Sequence, residues 1–282
     1  MALKKSLIAV SVGTLILCGS GLNSSLAKPF LHQANDHVEL EVNIQQLTRS
    51  FSQQRLSRIE QYHEMIGDHL KQNFSIIRTT RILTAHYPQD VNEIFIAAVQ
   101  HDPRRITHIS RAIIRSEPAL TTDVLSTALQ LAPEKCEELV AMAIDAEPAY
   151  IDDIVSIAAQ HQPEQLDSIL RVAITAEPDL SGSVVRSAAT SSPQNFFSAM
   201  VNTVTNLPQT TQNVFVAVRD FFTGQEQGNE RTMPNTSPEQ WNAFIVQAKN
   251  QGVTKQEMDW FKEQGYITEQ QLAAIYNKEP KL

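Results

Sequence analysis

The sequence reads PEKCEELVAMAIDAE at 133–147 and PAYIDDIVSIAAQHQ at 148–162, two consecutive units of fifteen residues that each begin with a proline. The same spacing recurs without interruption along half of the chain, which excludes coincidence. The prolines that mark it are Pro88, Pro103, Pro118, Pro133, Pro148, Pro163, Pro178, Pro193 and Pro208. A fixed internal period of this kind indicates a repeat protein.

Each repeat has the pattern of one amphipathic helix when its positions are numbered from the proline. Apolar residues recur at positions four, seven, eight, eleven and twelve, and steps of three and four place them on one face of an α-helix. Proline suits the first turn, because the first helical residue needs no amide donor and the ring forces the preceding residue out of helical geometry. Asp102 and Ser192, each just before a proline, are expected to cap a helix with their side chains.

The repeats are also expected to pack in alternating environments. Each helix of about twelve residues is too short to be stable alone in water, so packing must stabilise the stack. Glu-Pro pairs at residues 117, 147 and 177 recur every thirty residues, which indicates that alternate helices face different surroundings. The sequence therefore predicts an all-α fold, a two-layered α-solenoid of helical hairpins. Position eleven is alanine in six repeats, where a small side chain allows close approach: Ala98, Ala128, Ala143, Ala158, Ala173 and Ala188.

The repeats resemble the Ala- and Pro-punctuated helical repeats of many uncharacterised bacterial exported proteins, over residues 88–222. The resemblance implies a fold and no activity. Longer helices with mostly helical apolar spacing precede the repeats and are expected to cap the first open face of the stack. The predicted organisation is a signal peptide (1–27), an N-terminal helical cap (28–87), the solenoid (88–222), a linker (223–236) and a small three-helix unit (237–282).

The first 27 residues have the order of a secretory signal peptide. Two lysines precede an apolar run of about eleven residues, which is too short to span a bilayer, and a small-residue stretch ends at Ala27. Cleavage after Ala27 predicts a periplasmic protein, with secretion as the alternative.

Cys18 raises the further alternative of lipidation, although Leu17 precedes it where that processing requires a small side chain. Without Cys18, Cys136 is the only cysteine, and packing alone must stabilise the fold.

The tail after the linker has three helix starts of capping-box form, at Ser237, Thr254 and Thr268. A unit of this size is marginal alone, so we expect it to dock on the solenoid or on a partner. Residues 262–272 are similar to the short C-terminal helical domain of many bacterial proteins, which implies a role in oligomerisation. The candidate partner-binding residues of this tail are Trp241, Trp260 and Tyr266.

The sequence contains no motif typical of a catalytic, cofactor-binding or metal site. It lacks a nucleophile elbow, a phosphate loop and a dinucleotide fingerprint, and Cys136 lies at the buried position four of its repeat. His101 and His161 occupy equivalent positions four repeats apart, too far to share a metal ion. No catalytic, cofactor or metal site is therefore predicted. The net charge of −8 disfavours both nucleic acid and an anionic membrane surface as partners.

One charged surface remains as a candidate binding site, which we name the acidic ridge. If successive helices align positions five and six, acids there form one line that docks a basic partner; alternatively, they are solvated acids near helix N-termini. The ridge residues are Glu93, Asp123, Glu137, Glu138, Asp152, Asp153 and Asp167. The second repeat is instead basic, with Arg104, Arg105, Arg111 and Arg115.

The expected function is that of a non-enzymatic scaffold for protein–protein interaction in the bacterial envelope, because stacked helices offer extended surfaces to other proteins. The partner and the oligomeric state stay open. One alternative is an envelope enzyme that acts on glycan with a carboxylate pair from the acidic ridge. The other is a structural subunit of an envelope complex.

Overall fold

The computed structural model describes residues 40–206, 238–250, 254–263 and 267–277, all within one compact unit, His37–Leu282. The predicted signal peptide, Cys18, the linker and the ninth repeat lie outside these ranges. The described part is helical and contains no strand, which confirms the predicted all-α solenoid.

Three helices precede the first repeat, and eleven more follow from there to the end of the described chain. The first three are α1 (40–48), α2 (Gln53–Lys71) and α3 (Ile76–His86). The repeat helices are α4 (Val91–His101), α5 (Ile106–Ser116), α6 (Thr121–Leu131), α7 (Cys136–Ala146), α8 (Ile151–His161), α9 (Leu166–Ala176), α10 (Ser181–Ser191) and α11 (Pro193–Asn206). The tail contains α12 (Pro238–Asn250), α13 (Lys255–Glu263) and α14 (Glu269–Tyr276).

A three-residue 3₁₀ turn opens each repeat from Pro88 to Pro178, and the eleven-residue α-helix follows it. The residue before each proline breaks the preceding helix, as Glu117 does with φ −140° and ψ 80°. Its N–H still donates to the Ile113 carbonyl at 2.8 Å, and its carbonyl accepts from Leu120 at 3.0 Å. Main-chain hydrogen bonds therefore satisfy the N–H and carbonyl groups of the turn, and no side-chain cap is needed.

The predicted side-chain cap at Asp102 is wrong for this reason. Asp102 makes no capping hydrogen bond. The amide two residues beyond Pro103 belongs to Arg105, and it donates to the main-chain carbonyl of Asp102 at 3.0 Å. The Asp102 carboxylate instead pairs with the Arg105 guanidinium at 3.1 Å.

The helices form two layers, because each packs most extensively on the helix two further along the chain. We call α2, α4, α6, α8 and α10 the even layer, and α3, α5, α7, α9 and α11 the odd layer. Hydrogen bonds join early residues of one helix to early residues of its layer neighbour. The side-chain amide of Gln165 donates to the Pro133 carbonyl at 3.3 Å, and that of Asn195 donates to the Pro163 carbonyl at 2.9 Å. Helices of one layer are therefore parallel, and the intervening helices must run back, so the two layers begin at opposite edges.

The core lies between the layers and is made by the predicted positions. In α8, these positions hold residues that are at most 2% exposed: Ile151, Ile154, Val155, Ala158 and Ala159. The six alanines of position eleven are all fully buried. Small side chains therefore lie where the helices approach most closely, as the sequence indicates.

The N-terminal cap includes one contact that crosses several repeats. On α1, Leu40 and Ile44 are buried, and the Asn43 amide donates to the Leu131 carbonyl at 2.9 Å, 88 residues away. Leu131 and Ala132 end α6 with apolar side chains that are at most 1% exposed. The corresponding residues after α8 are polar, so the change in sequence marks where α1 docks.

The tail packs on the last described repeat helix. The Phe197 ring of α11 meets the Phe244 ring of α12 edge to face, with centroids 6.2 Å apart. Thr268 forms the predicted capping box with Gln271 at the start of α14. Of the two expected arrangements, the described helices show docking on the solenoid. Trp241 and Trp260 lie on α12 and α13, but their side chains, and all of Tyr266, lie outside the described part.

Candidate protein-binding faces

The seven acids of the predicted ridge are divided between the two layers. Because the layers begin at opposite edges, positions five and six of successive helices do not meet, and one continuous ridge does not form. The even layer carries Glu93, Asp123, Asp152 and Asp153, and the odd layer carries Glu137, Glu138 and Asp167.

Glu93 supports the fold and is not available to a partner. It is 6% exposed, and its Oε1 accepts from Nε of Arg55 on α2 at 2.6 Å. Nearby, Asp90 accepts hydrogen bonds from Arg58 at 2.9 Å and from the Tyr62 hydroxyl at 2.8 Å. Burial, together with the bond to Asp90, raises the pKa of Tyr62. These pairs hold the long helix α2 against α4, so they fix the cap to the stack.

The other acids of the even layer are exposed, and we call Asp123, Asp152 and Asp153 the even-layer acidic face. Asp123 and Asp153 occupy position six of α6 and α8. Within the described ranges, neither makes a hydrogen bond or an ion pair. Asp152 accepts a hydrogen bond from the Ser183 hydroxyl. Layer neighbours lie about 10 Å apart, so this face presents two unneutralised carboxylates on adjacent parallel helices at about that separation.

The odd layer contains a groove of about 620 Å³ between α5 and α7. One wall is basic and the other acidic. Asp145 of α7 accepts from Arg111 at 2.6 Å and from Arg115 at 3.2 Å, and Glu138 accepts from the Thr107 hydroxyl at 2.7 Å. The seven lining residues are Thr107, His108, Arg111, Glu138, Ala141, Met142 and Asp145.

The groove is lined by a small side chain, Ala141, at position nine of the α7 repeat. Of the other odd-layer helices, α3, α5 and α9 carry Arg81, Arg111 and Arg171 there and α11 carries Val201, whereas α7 has Ala141, which is exposed. Sequence reasoning missed this groove and Asp145. The available signal was the small residue Ala141 at a position where both layer neighbours of α7, α5 and α9, carry arginine.

Two half-buried contacts that involve histidine join neighbours of the even layer. His63 and His101 stack with ring centroids 3.9 Å apart, and Nε2–H of His101 donates to the His63 carbonyl at 2.8 Å. His161 shares a 2.8 Å hydrogen bond with Ser126, and Ser156 with Ser191 repeats that contact one step along at 2.7 Å. The hydrogen bond between Ser126 and His161 is therefore a structural contact between neighbouring helices of the even layer.

These histidines predict a loss of stability in acid. Burial lowers the pKa of both His101 and His161 below the usual 6.5. In the unfolded chain they bind protons near that value, so the unfolded state holds more protons as the pH falls below it. We expect the melting temperature to fall between about pH 7 and pH 5, and less so in a His101→Gln/His161→Gln variant. Thermal melts followed by circular dichroism at each pH measure both; equal falls in the two proteins would contradict this assignment.

Cys136 is a core residue, as expected from its position. It is fully buried, and burial, with a smaller effect of Glu137, raises the pKa of its thiol to about 11. We expect no reaction with an aromatic disulfide reagent at pH 8 until denaturant is added, because the thiolate is both rare and inaccessible. A chain carrying Cys18→Ser isolates this thiol, and rapid labelling of the native protein would contradict its burial.

No family model, curated protein or solved structure matches the chain. Across the described residues, no three His, Cys, Asp or Glu side chains are grouped so as to hold a metal ion. No helix within those ranges combines the length and apolar character needed to cross a membrane.

Proposed function

We propose that the chain is an exported helical-repeat scaffold that binds a basic protein partner in the bacterial envelope. The observation that carries the proposal is the even-layer acidic face. Its carboxylates repeat at equivalent positions on parallel helices, and Asp123 and Asp153 are exposed and unpaired among the described residues. Such a surface favours a segment whose basic side chains recur at a matching interval.

The glycan hydrolase alternative requires two carboxylates that share a deep pocket. In the odd-layer groove, Glu138 and Asp145 are both exposed and already accept hydrogen bonds from Thr107 and two arginines. This arrangement favours a surface for ionic contacts over a catalytic pair, so we keep the scaffold as the proposed function.

The test is a cross-linking capture from envelope extract with two matched variants. The first replaces Asp123, Asp152 and Asp153 with Asn, which removes three charges from the even-layer acidic face. The control replaces Glu134, Glu137 and Glu164 with Gln, which removes three charges at the opposite edge.

We expect a protein that the unmodified chain and the control retain, and that the first variant loses. Equal retention by all three chains would place binding elsewhere. Release of soluble sugar from cell-wall glycan by the purified chain would instead support the enzyme. Fractionation of the source cells checks export independently.

A further inference from the structure

The sign of charge changes along the stack. Residues 53–116 contain nine basic and six acidic residues, whereas residues 117–206 contain three basic and thirteen acidic ones. On the odd layer, the change occurs across the groove. His108 and Arg115 are exposed on α5, and Glu138 and Asp145 are exposed on α7.

These four side chains lie at matching levels along two parallel helices. His108 and Glu138 both occupy position six, and Arg115 and Asp145 both occupy position thirteen. The 3.2 Å contact between Arg115 and Asp145 shows that equal positions on α5 and α7 lie side by side. The face is therefore a two-by-two pattern, with the nitrogen-bearing side chains of His108 and Arg115 on one side of the groove and the carboxylates of Glu138 and Asp145 on the other.

This pattern is complementary to itself. A two-fold axis that runs along the groove, parallel to the helices, places α5 of one copy over α7 of a second copy at the same level. His108 then faces Glu138, and Arg115 faces Asp145, twice each. Within one copy, Arg111 and Arg115 share Asp145, and Glu138 has only a hydroxyl donor. In the dimer, Glu138 also faces His108 of the second copy, and Arg115 faces a second carboxylate, Asp145 of that copy.

We propose that two copies of this chain associate through the odd-layer face, with the groove on the two-fold axis. The exposed Ala141 leaves room for the two faces to approach. The pairs are solvent-exposed, so each contributes little, and the dimer is weak and weakened further by salt. The even-layer acidic face is not used and stays open to another protein.

The experiment is sedimentation velocity of the purified chain at low salt over a range of concentrations, with two charge reversals. We expect the unmodified chain to dimerise as concentration rises. Arg115→Glu and Asp145→Arg should each weaken self-association about tenfold or more, because like charges then face each other.

An equimolar mixture of the two variants should dimerise again. The glutamate introduced by Arg115→Glu faces the arginine introduced by Asp145→Arg, and the unchanged Asp145 of the first copy faces the unchanged Arg115 of the second. Recovery in the mixture also shows that both variants are folded. Asp153→Arg makes the same charge change on the even layer and should leave the dimer intact.

A chain that stays monomeric at low salt overturns the proposal, and so does a dimer that is indifferent to both reversals or a mixture that does not recover. If the face captures only a different protein, the chain is monomeric and the dimer is likewise excluded. Neither result bears on the scaffold proposal, which is tested with variants of the other layer.

Discussion

Replacing Phe95 with alanine is expected to lower the free energy of unfolding by about 3 to 5 kcal/mol. Phe95 occupies position eight of α4, is fully buried, and ranks among the largest fully buried side chains described. Truncation removes most of its apolar area from the core and leaves a cavity that helices already in contact cannot close. For a folded unit of this size, the melting temperature should fall by roughly 10 °C.

The matched control is Ile82→Ala, since Ile82 is a large apolar residue of the neighbouring helix α3 that is 38% exposed. It should cost well under half as much. Because each repeat packs mainly on nearby helices, the damage should be local. Hydrogen exchange of the Phe95→Ala chain is expected to accelerate in α2 to α6 and to change little in α9 and α10. Uniform acceleration along the stack would show that the repeats unfold as one unit.

Replacing Ala143 with leucine is expected to destabilise the chain by roughly 1 to 3 kcal/mol. Ala143 is fully buried at position eleven of the repeat that begins at Pro133, where α7 meets its neighbours most closely. Three additional carbons require α7 to move away from its neighbours, which loses contacts on both sides. Chemical denaturation with urea gives the change directly.

Ala141→Leu supplies the comparison on the same helix. It adds the same carbons two residues earlier, where the side chain is exposed in the groove. Helix propensity is unchanged between the two variants, so only packing distinguishes them. We expect a stability change within about 0.5 kcal/mol for Ala141→Leu. Equal losses in both variants would mean that position eleven is not the close contact.

The sequence predicts the repeat helices closely because the proline spacing and the positions of the buried residues both follow from one short helix in each repeat. Pro133 and Pro148 begin turns, Cys136 and Ile151 begin α-helices, and Ala143 and Ala158 are buried where expected. The side-chain cap at Asp102 was not predictable from composition, since the main-chain bond to Arg105 replaces it. The capping serines Ser52 and Ser75 of α2 and α3 were overlooked, although their hydroxyls accept from the third residue of each helix.

The candidate site was harder to predict than the fold. Position numbers alone place Asp123 and Glu138 in one line, but a hairpin reverses every second helix and sends them to opposite edges. Glu93 shares their position in the repeat and is nevertheless buried by Arg55, which belongs to the cap and not to the repeat. Charge sites in a stack depend on which helices are neighbours, and the period leaves that open.

The docking of α1 onto the end of α6 sets an order of events during synthesis. Most of the stack can fold as it emerges from the ribosome, since each helix needs only partners within about thirty residues. The receptor for Asn43 does not exist until Leu131 has been made and α6 has formed. Helix α1 therefore becomes fixed only after the first three repeats have formed, although it precedes all of them in the chain.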